Sequence, residues 1–133
     1  MNNFKVKVNF YQCDPEGILF FANIFQICHS AYEDLINSFQ LEESYFINAK
    51  YAVPLVNCSA DYKKMIKYNE MLDINIKVTK LLNHSFELEY SVFSANVLKA
   101  VVKTAHVFIN KGTLKKMDIP AEIAQKLSLL AVD

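Results

Sequence analysis

Apolar and polar side chains alternate over residues 4–10, with Phe4, Val6, Val8 and Phe10 set against Lys5, Lys7 and Asn9. A period of two places each set on its own face of an extended chain, so this segment is predicted to be a strand with one buried face. The period then changes. From Asn23 onward Ile24, Ile27, Cys28, Ala31, Leu35 and Phe39 recur three and four residues apart, opposite Gln26, Ser30, Glu33, Asn37 and Gln40. This is the single apolar stripe of an amphipathic helix of about sixteen residues. Asn23 is placed to cap that helix, with Gln26 as the return partner of a capping box.

Residues 41–50 read as a short polar helix or loop, and Tyr51–Met65 mixes β-branched and aromatic residues around Pro54. Lys67-Tyr68-Asn69-Glu70 reads as a connection. Alternation returns with Ile74, Ile76 and Val78 against Asn75, Lys77 and Thr79, and with Phe86, Leu88, Tyr90 and Val92 against Glu87, Glu89 and Ser91. Leu82-Asn83-His84-Ser85 forms the turn between these strands, and Asn96 marks the next turn. Residues 97–109 are predicted as one long, largely apolar strand ending at Asn110-Lys111-Gly112-Thr113, with a short helix after Pro120. One strand, a turn, a long helix and then four antiparallel strands make an α+β fold in which the helix must cover one face of a curved sheet. A single helix leaves part of that sheet exposed, which makes a homodimer the expected state.

With 133 residues, the chain is expected to form one domain over 1–133 and to bury roughly two-thirds of its unfolded surface without a disulfide or metal. Fourteen lysines balance fourteen acidic residues, and there is no arginine. Balanced charge argues against a nucleic-acid surface. Without a guanidinium fork, phosphate recognition falls to lysine, backbone amides or hydroxyls. The N-terminal residues lack the apolar core of a signal peptide and no membrane span is visible, so a cytoplasmic, membrane-free location is expected. Cys13, Cys28 and Cys58 are far apart and odd in number, as reduced thiols would be. The three histidines and three cysteines lack zinc-ligand spacing, so no metal and no cofactor are expected.

The chemistry concentrates in Tyr11–Asn23. Asp14 lies between the first strand and the helix in the run Asp14-Pro15-Glu16-Gly17. Pro15 fixes its own φ and pushes Asp14 away from helical geometry, and Gly17 permits a backbone conformation that side-chain-bearing residues resist. Such a turn holds an acid near a helix N-terminus, where unpaired amides attract developing negative charge. Asp before Pro is also an ordinary way to start a turn.

Asp14-Pro15-Glu16-Gly17-Ile18-Leu19-Phe20-Phe21 resembles the turn and helix of the hotdog-fold acyl-CoA thioesterases of the 4-hydroxybenzoyl-CoA type. Phe25-Gln26-Ile27-Cys28-His29-Ser30-Ala31-Tyr32-Glu33 and Val53-Pro54-Leu55-Val56 are most similar to the 1,4-dihydroxy-2-naphthoyl-CoA thioesterases of phylloquinone and menaquinone synthesis. His84-Ser85-Phe86, Glu89-Tyr90 and Thr104-Ala105-His106-Val107 resemble the same subgroup. The resemblance implies a curved antiparallel sheet wrapped around one central helix. It also implies sheet-paired homodimers assembled into a homotetramer, with each reaction site between subunits. Two departures stand out: Gln12 where many relatives have a second acid, and Phe21 where general relatives often have histidine.

Thioester hydrolysis needs an oxygen nucleophile or base, and a donor for the charge that grows on the carbonyl oxygen. The resemblance assigns the first role to Asp14, as nucleophile through a mixed anhydride or as base on water. It assigns the second to the backbone N–H of Phe21, with Pro15 and Gly17 supporting the turn. Phe20, Asn23, His29, Tyr51, Pro54 and Leu55 are the expected substrate-binding residues. Lys63, Lys64 and Lys67 are candidates for the coenzyme A phosphates, or equally an edge guard against unwanted sheet pairing. His29 is adjacent to Cys28 on a helix, so their side chains diverge and form no nucleophile–base pair. His84 in a turn and His106 in an apolar strand are read as structural. The leading expectation is hydrolysis of 1,4-dihydroxy-2-naphthoyl-CoA. The alternatives are 4-hydroxybenzoyl-CoA, a short aliphatic thioester, or a non-catalytic acyl-CoA-binding protein of the same fold.

Overall fold

A computed structural model describes residues 2–131. In chain order its elements are β1 (Asn3–Lys7), a 3₁₀ turn (Phe10–Gln12), α1 (Asn23–Ser38), β2 (Tyr51–Ala52), β3 (Leu55–Tyr62), β4 (Met71–Leu81), β5 (Ser85–Ser94), β6 (Val97–Val107), β7 (Ile109–Asn110) and α2 (Ala121–Ser128). Five strands pair antiparallel in the order β1-β4-β5-β6-β3, and β2 pairs with β7 separately.

The strand period decides which face is dry. Leu72, Ile74, Ile76 and Val78 of β4, Phe86, Leu88, Tyr90 and Val92 of β5, and Ala100 and Val102 of β6 are buried in one cluster with the apolar face of α1. That helix face consists of Ile24, Ile27, Cys28, Ala31, Tyr32, Leu35 and Ile36. Burying a side chain of this size is worth roughly 1.5–3 kcal/mol, so α1 is held by its stripe rather than by intrinsic helix propensity. α2 closes a neighbouring part of the core through Ile123 and Leu127. β3 is the exception. It has no buried residue, and β6 is its sole partner among the described residues.

Four local expectations are corrected. The first strand ends at Lys7 because the Asn9 N–H donates to the Gln12 side chain at 2.9 Å and the Gln12 N–H donates to the Asn9 carbonyl, which closes the 3₁₀ turn. Phe10 therefore leaves the buried face and is exposed, with its ring edge against Tyr68. Pro54, which has no N–H, separates the predicted 51–65 segment into β2 and β3. The long 97–109 strand breaks at Phe108, whose buried ring and N–H leave β6, the N–H donating to the His84 carbonyl at 2.8 Å. Finally, Asn23 does not cap α1. The N-cap position is Ala22, without a side-chain cap, because Asn23 and Gln26 are drawn to Gln12 instead. The β5–β6 turn at Asn96 is present, with Ala95 and Asn96 both at positive φ, as a two-residue hairpin requires.

Candidate active site

Asp14 is held by its own turn. Its Oδ1 accepts from the Glu16 N–H at 2.9 Å and the Ile18 N–H at 3.1 Å. Its backbone N–H donates to the Ile18 carbonyl, and its carbonyl accepts from the Gly17 N–H. Gly17 makes the reversal at φ 77, a value disfavoured for residues with a Cβ. One carboxylate oxygen is thus fixed by two amides, and the half-buried Asp14 is oriented by the turn that Pro15 and Gly17 shape. The neighbouring Cys13 thiol is held toward its protonated form. Burial first, and the Asp14 charge second, push its thiol upward, away from the thiolate form.

Gln12 ties this turn to α1. It is buried, donates from Nε2 to the Gln26 Oε1 at 2.8 Å, and its carbonyl accepts from Asn23 Nδ2 at 2.8 Å and from the Phe20 N–H at 3.0 Å. An acid at position 12 would lose the donor that reaches Gln26, which gives this departure a structural reason. The Phe21 carbonyl accepts from the Tyr62 hydroxyl, while the Phe21 N–H takes no partner from the described residues. The helix start therefore presents a free amide beside a bound carbonyl.

The remaining candidates divide among three places. A cleft of about 350 Å³ is lined by Ile18, Phe21, Tyr62, Lys63 and Lys64, among others. Asp14 is not one of its walls and approaches it through Ile18, whose N–H its carboxylate accepts. Lys67 also lies outside the lining and contributes its N–H to Glu70. Burial alone would raise the Glu70 carboxyl, but the Lys67 N–H, the Ser94 hydroxyl and the Lys99 ammonium outweigh it and bring it below the ordinary value. A second cleft, of about 320 Å³, runs between α1 and the β3–β6–β5 part of the sheet, with His29, Leu55, Tyr90 and Thr104 in its walls. Phe20 is exposed and packs on Phe21 with ring centroids 4.8 Å apart, and Pro54 is exposed with its carbonyl bonded to the Val107 N–H. Tyr51 is not brought to either cleft. It is buried against Tyr45 and Phe108.

Sequence reasoning gave no site role to Tyr62, Tyr90 or Thr104, although the last two lie in segments that carry the resemblance. Tyr62 meets Phe21 across 41 positions of chain, and no local pattern reports such a contact. Tyr90 and Thr104 look like ordinary inward strand positions until their hydroxyls are found 3.0 Å apart beside a cleft.

The sequence profile of the Thioesterase-like superfamily matches residues 8–127. The chain belongs to this family. The sheet wrapped on α1 is its hotdog fold, and membership makes the chain an enzyme of the thioesterase class. It is 33% identical over 121 residues to a 1,4-dihydroxy-2-naphthoyl-CoA hydrolase of Nostoc punctiforme, covering 90% of this chain and 82% of that relative. It is 30% identical over 124 residues to the enzyme of the same name from Crocosphaera subtropica, covering 90% of each. The crystal structure of a 1,4-dihydroxy-2-naphthoyl-CoA thioesterase from Synechocystis superposes with a TM-score of 0.87 at 27% identity, covering 95% of this chain and 94% of that one. Among the described residues of this thioesterase-family chain, no group of three or more His, Cys, Asp or Glu is arranged to hold a metal ion, and no helix is long and apolar enough to cross a membrane.

Proposed function

We propose that the chain hydrolyses 1,4-dihydroxy-2-naphthoyl-CoA to the free acid and coenzyme A. The observation that carries this reading is the Asp14 turn joined through Gln12 to a helix start whose Phe21 N–H has no partner among the described residues. It is supported by similarity to relatives named for that substrate. Asp14 either attacks the thioester carbon itself, forming a mixed anhydride that water then hydrolyses to the free acid and the restored carboxylate, or takes the proton of a water whose oxygen attacks instead. Phe21 donates to the carbonyl oxygen as it becomes anionic, and the coenzyme A thiolate leaves. Lys63 and Lys64 sit in the cleft beside Phe21, where their ammonium groups suit the phosphates of coenzyme A as point charges.

A homodimer completes this reading. β3 has an unpaired edge among the described residues and exposes Leu55, Val56 and Tyr62, and pairing with a second copy along that edge would cover them. Three free cysteines suit a reducing cytoplasm.

The test is a thiol-release assay over a panel of aryl and aliphatic acyl-CoAs, run on the parental chain and on Asp14→Asn. Asparagine retains an acceptor oxygen for the Glu16 and Ile18 amides, so the turn is kept. Turnover should fall by about 10²–10⁴-fold, with the fold intact by circular dichroism. An Asp14→Asn variant hydrolysing at the parental rate would refute the assignment, and a stronger preference for another thioester would replace the substrate.

A further inference from the structure

The cleft between α1 and the β3–β6–β5 sheet has a polar base that the hydrolytic step does not use. At that base the Tyr90 hydroxyl lies 3.0 Å from Thr104 Oγ1, and Thr104 Oγ1 lies 2.8 Å from His106 Nε2. Tyr90 and Thr104 line the cleft. His106 stands behind them, buried and stacked between Tyr32 and Phe86 at 4.7 and 4.8 Å. Its Nδ1 is buried and has no partner among the described residues.

That orphan nitrogen determines the direction of the whole chain. Burial, reinforced by His29, pushes His106 down to about 4, so its ring is neutral near pH 7 and carries one proton. Were the proton on Nδ1, a buried N–H donor would go unsatisfied, which native proteins tolerate less readily than an unsatisfied acceptor. The proton therefore belongs on Nε2, as assigned from the hydrogen-bond count. Nε2–H then donates to Thr104, the Thr104 hydroxyl donates to the Tyr90 oxygen, and the Tyr90 O–H has no acceptor among the described residues. It is left for whatever enters the cleft.

We infer that Tyr90 is a specificity-determining residue whose hydroxyl, directed by Thr104 and His106, donates to an oxygen on the ring of an aromatic acyl group and so selects hydroxylated over unsubstituted rings. The inference deepens the acyl-CoA reading above and rests on it. The cleft volume of about 320 Å³ is near the lower end of the roughly 300–1,000 Å³ common for small-molecule sites, which suits a compact ring rather than a long chain. Phe25 and Leu55 give the cleft apolar walls, Gln26 lines it from an exposed position open to water, and the buried Tyr90 donor is the one placed to fix the orientation of what binds. His29 reaches the same cleft but is exposed, so water satisfies it and it discriminates little. A buried donor has no such substitute, and a ring lacking the oxygen leaves it unpaired.

Two substrate pairs test the inference: 4-hydroxybenzoyl-CoA with benzoyl-CoA, and 1-hydroxy-2-naphthoyl-CoA with 2-naphthoyl-CoA. The readout is the ratio of kcat/KM within each pair, which a purely structural residue would not move. The parental enzyme should favour the hydroxylated member of at least one pair, and Tyr90→Phe should lower that ratio about tenfold. Thr104→Val should lower it in the same direction while Thr104→Ser preserves it, and this comparison decides the matter if Tyr90→Phe does not fold. Calorimetric binding of 1-hydroxy-2-naphthoate against 2-naphthoate gives a readout independent of turnover. A Tyr90-dependent preference among the acids with no thioester hydrolysis sinks the enzymatic reading and keeps the selectivity. Hydrolysis whose ratios are unchanged in both Tyr90→Phe and Thr104→Val overturns the inference and leaves the enzyme standing.

Discussion

His106→Phe should remove a defined part of the acid sensitivity of folding. His106 is 1% exposed, with rings on both sides, parallel to Phe86 within 8°, so phenylalanine keeps the stack and removes the titrating group. Burial, with His29 second, takes the imidazole from 6.5 to about 4. At 1.36 kcal/mol per pH unit this difference is worth about 3 kcal/mol. The sign follows from the direction. The unfolded chain binds the proton more readily, so the contribution is complete above pH 6.5 and is lost as pH falls from there through about 4. Urea unfolding followed by far-UV circular dichroism, at fixed protein concentration and at several pH values between 7.5 and 4.2, measures it, and the absence of tryptophan makes ellipticity the better signal. Glu70, held below its ordinary value, adds its own loss at the acid end, so the informative quantity is the difference between parental and variant slopes. Absolute stability also changes because Thr104 loses a partner. Parental and variant curves running parallel from pH 6.5 to 4.5 would refute the assignment of a buried, neutral His106.

Charge reversal at Lys63 and Lys64 together should raise KM for acyl-CoA roughly three- to tenfold and flatten the dependence of activity on salt. Unchanged affinity accompanied by aggregation would instead identify these lysines as guards of the β3 edge. Gly17→Ala should cost about 1–2 kcal/mol by urea unfolding, the penalty of a Cβ at positive φ, because an added Cβ meets nothing nearer than Tyr68 Cβ at 3.9 Å. Its effect on thioester turnover should exceed that stability loss, since Gly17 shapes the turn that aims Asp14; a variant stable and active as the parent would show that the φ of 77 carries no cost.

Much of the architecture could be read from periodicity. β4, β5 and the apolar face of α1 bury the residues that their spacing marks, because a one-residue slip in a strand would turn its whole apolar set toward water. The Asp14 turn was legible too, since Pro15 and Gly17 act on backbone angles within four residues. The failures fall where a distant partner competes with a local one. Asn23 looks like a cap until Gln12 takes its side chain, and Phe10 looks like a strand residue until Gln12 closes the preceding turn.

The sites divide along the same line. Residue order was enough to place Asp14 in its turn, the helix beside it and the strands beneath. Tertiary packing alone brought Tyr62 to the Phe21 carbonyl, separated Tyr51 from the clefts, and joined Tyr90, Thr104 and His106 into one directed chain. Backbone geometry and face selection are short-range properties written into neighbouring residues. The direction of a buried hydrogen bond depends on which polar atoms the fold encloses together, and strands β5 and β6 settle that only when they pair.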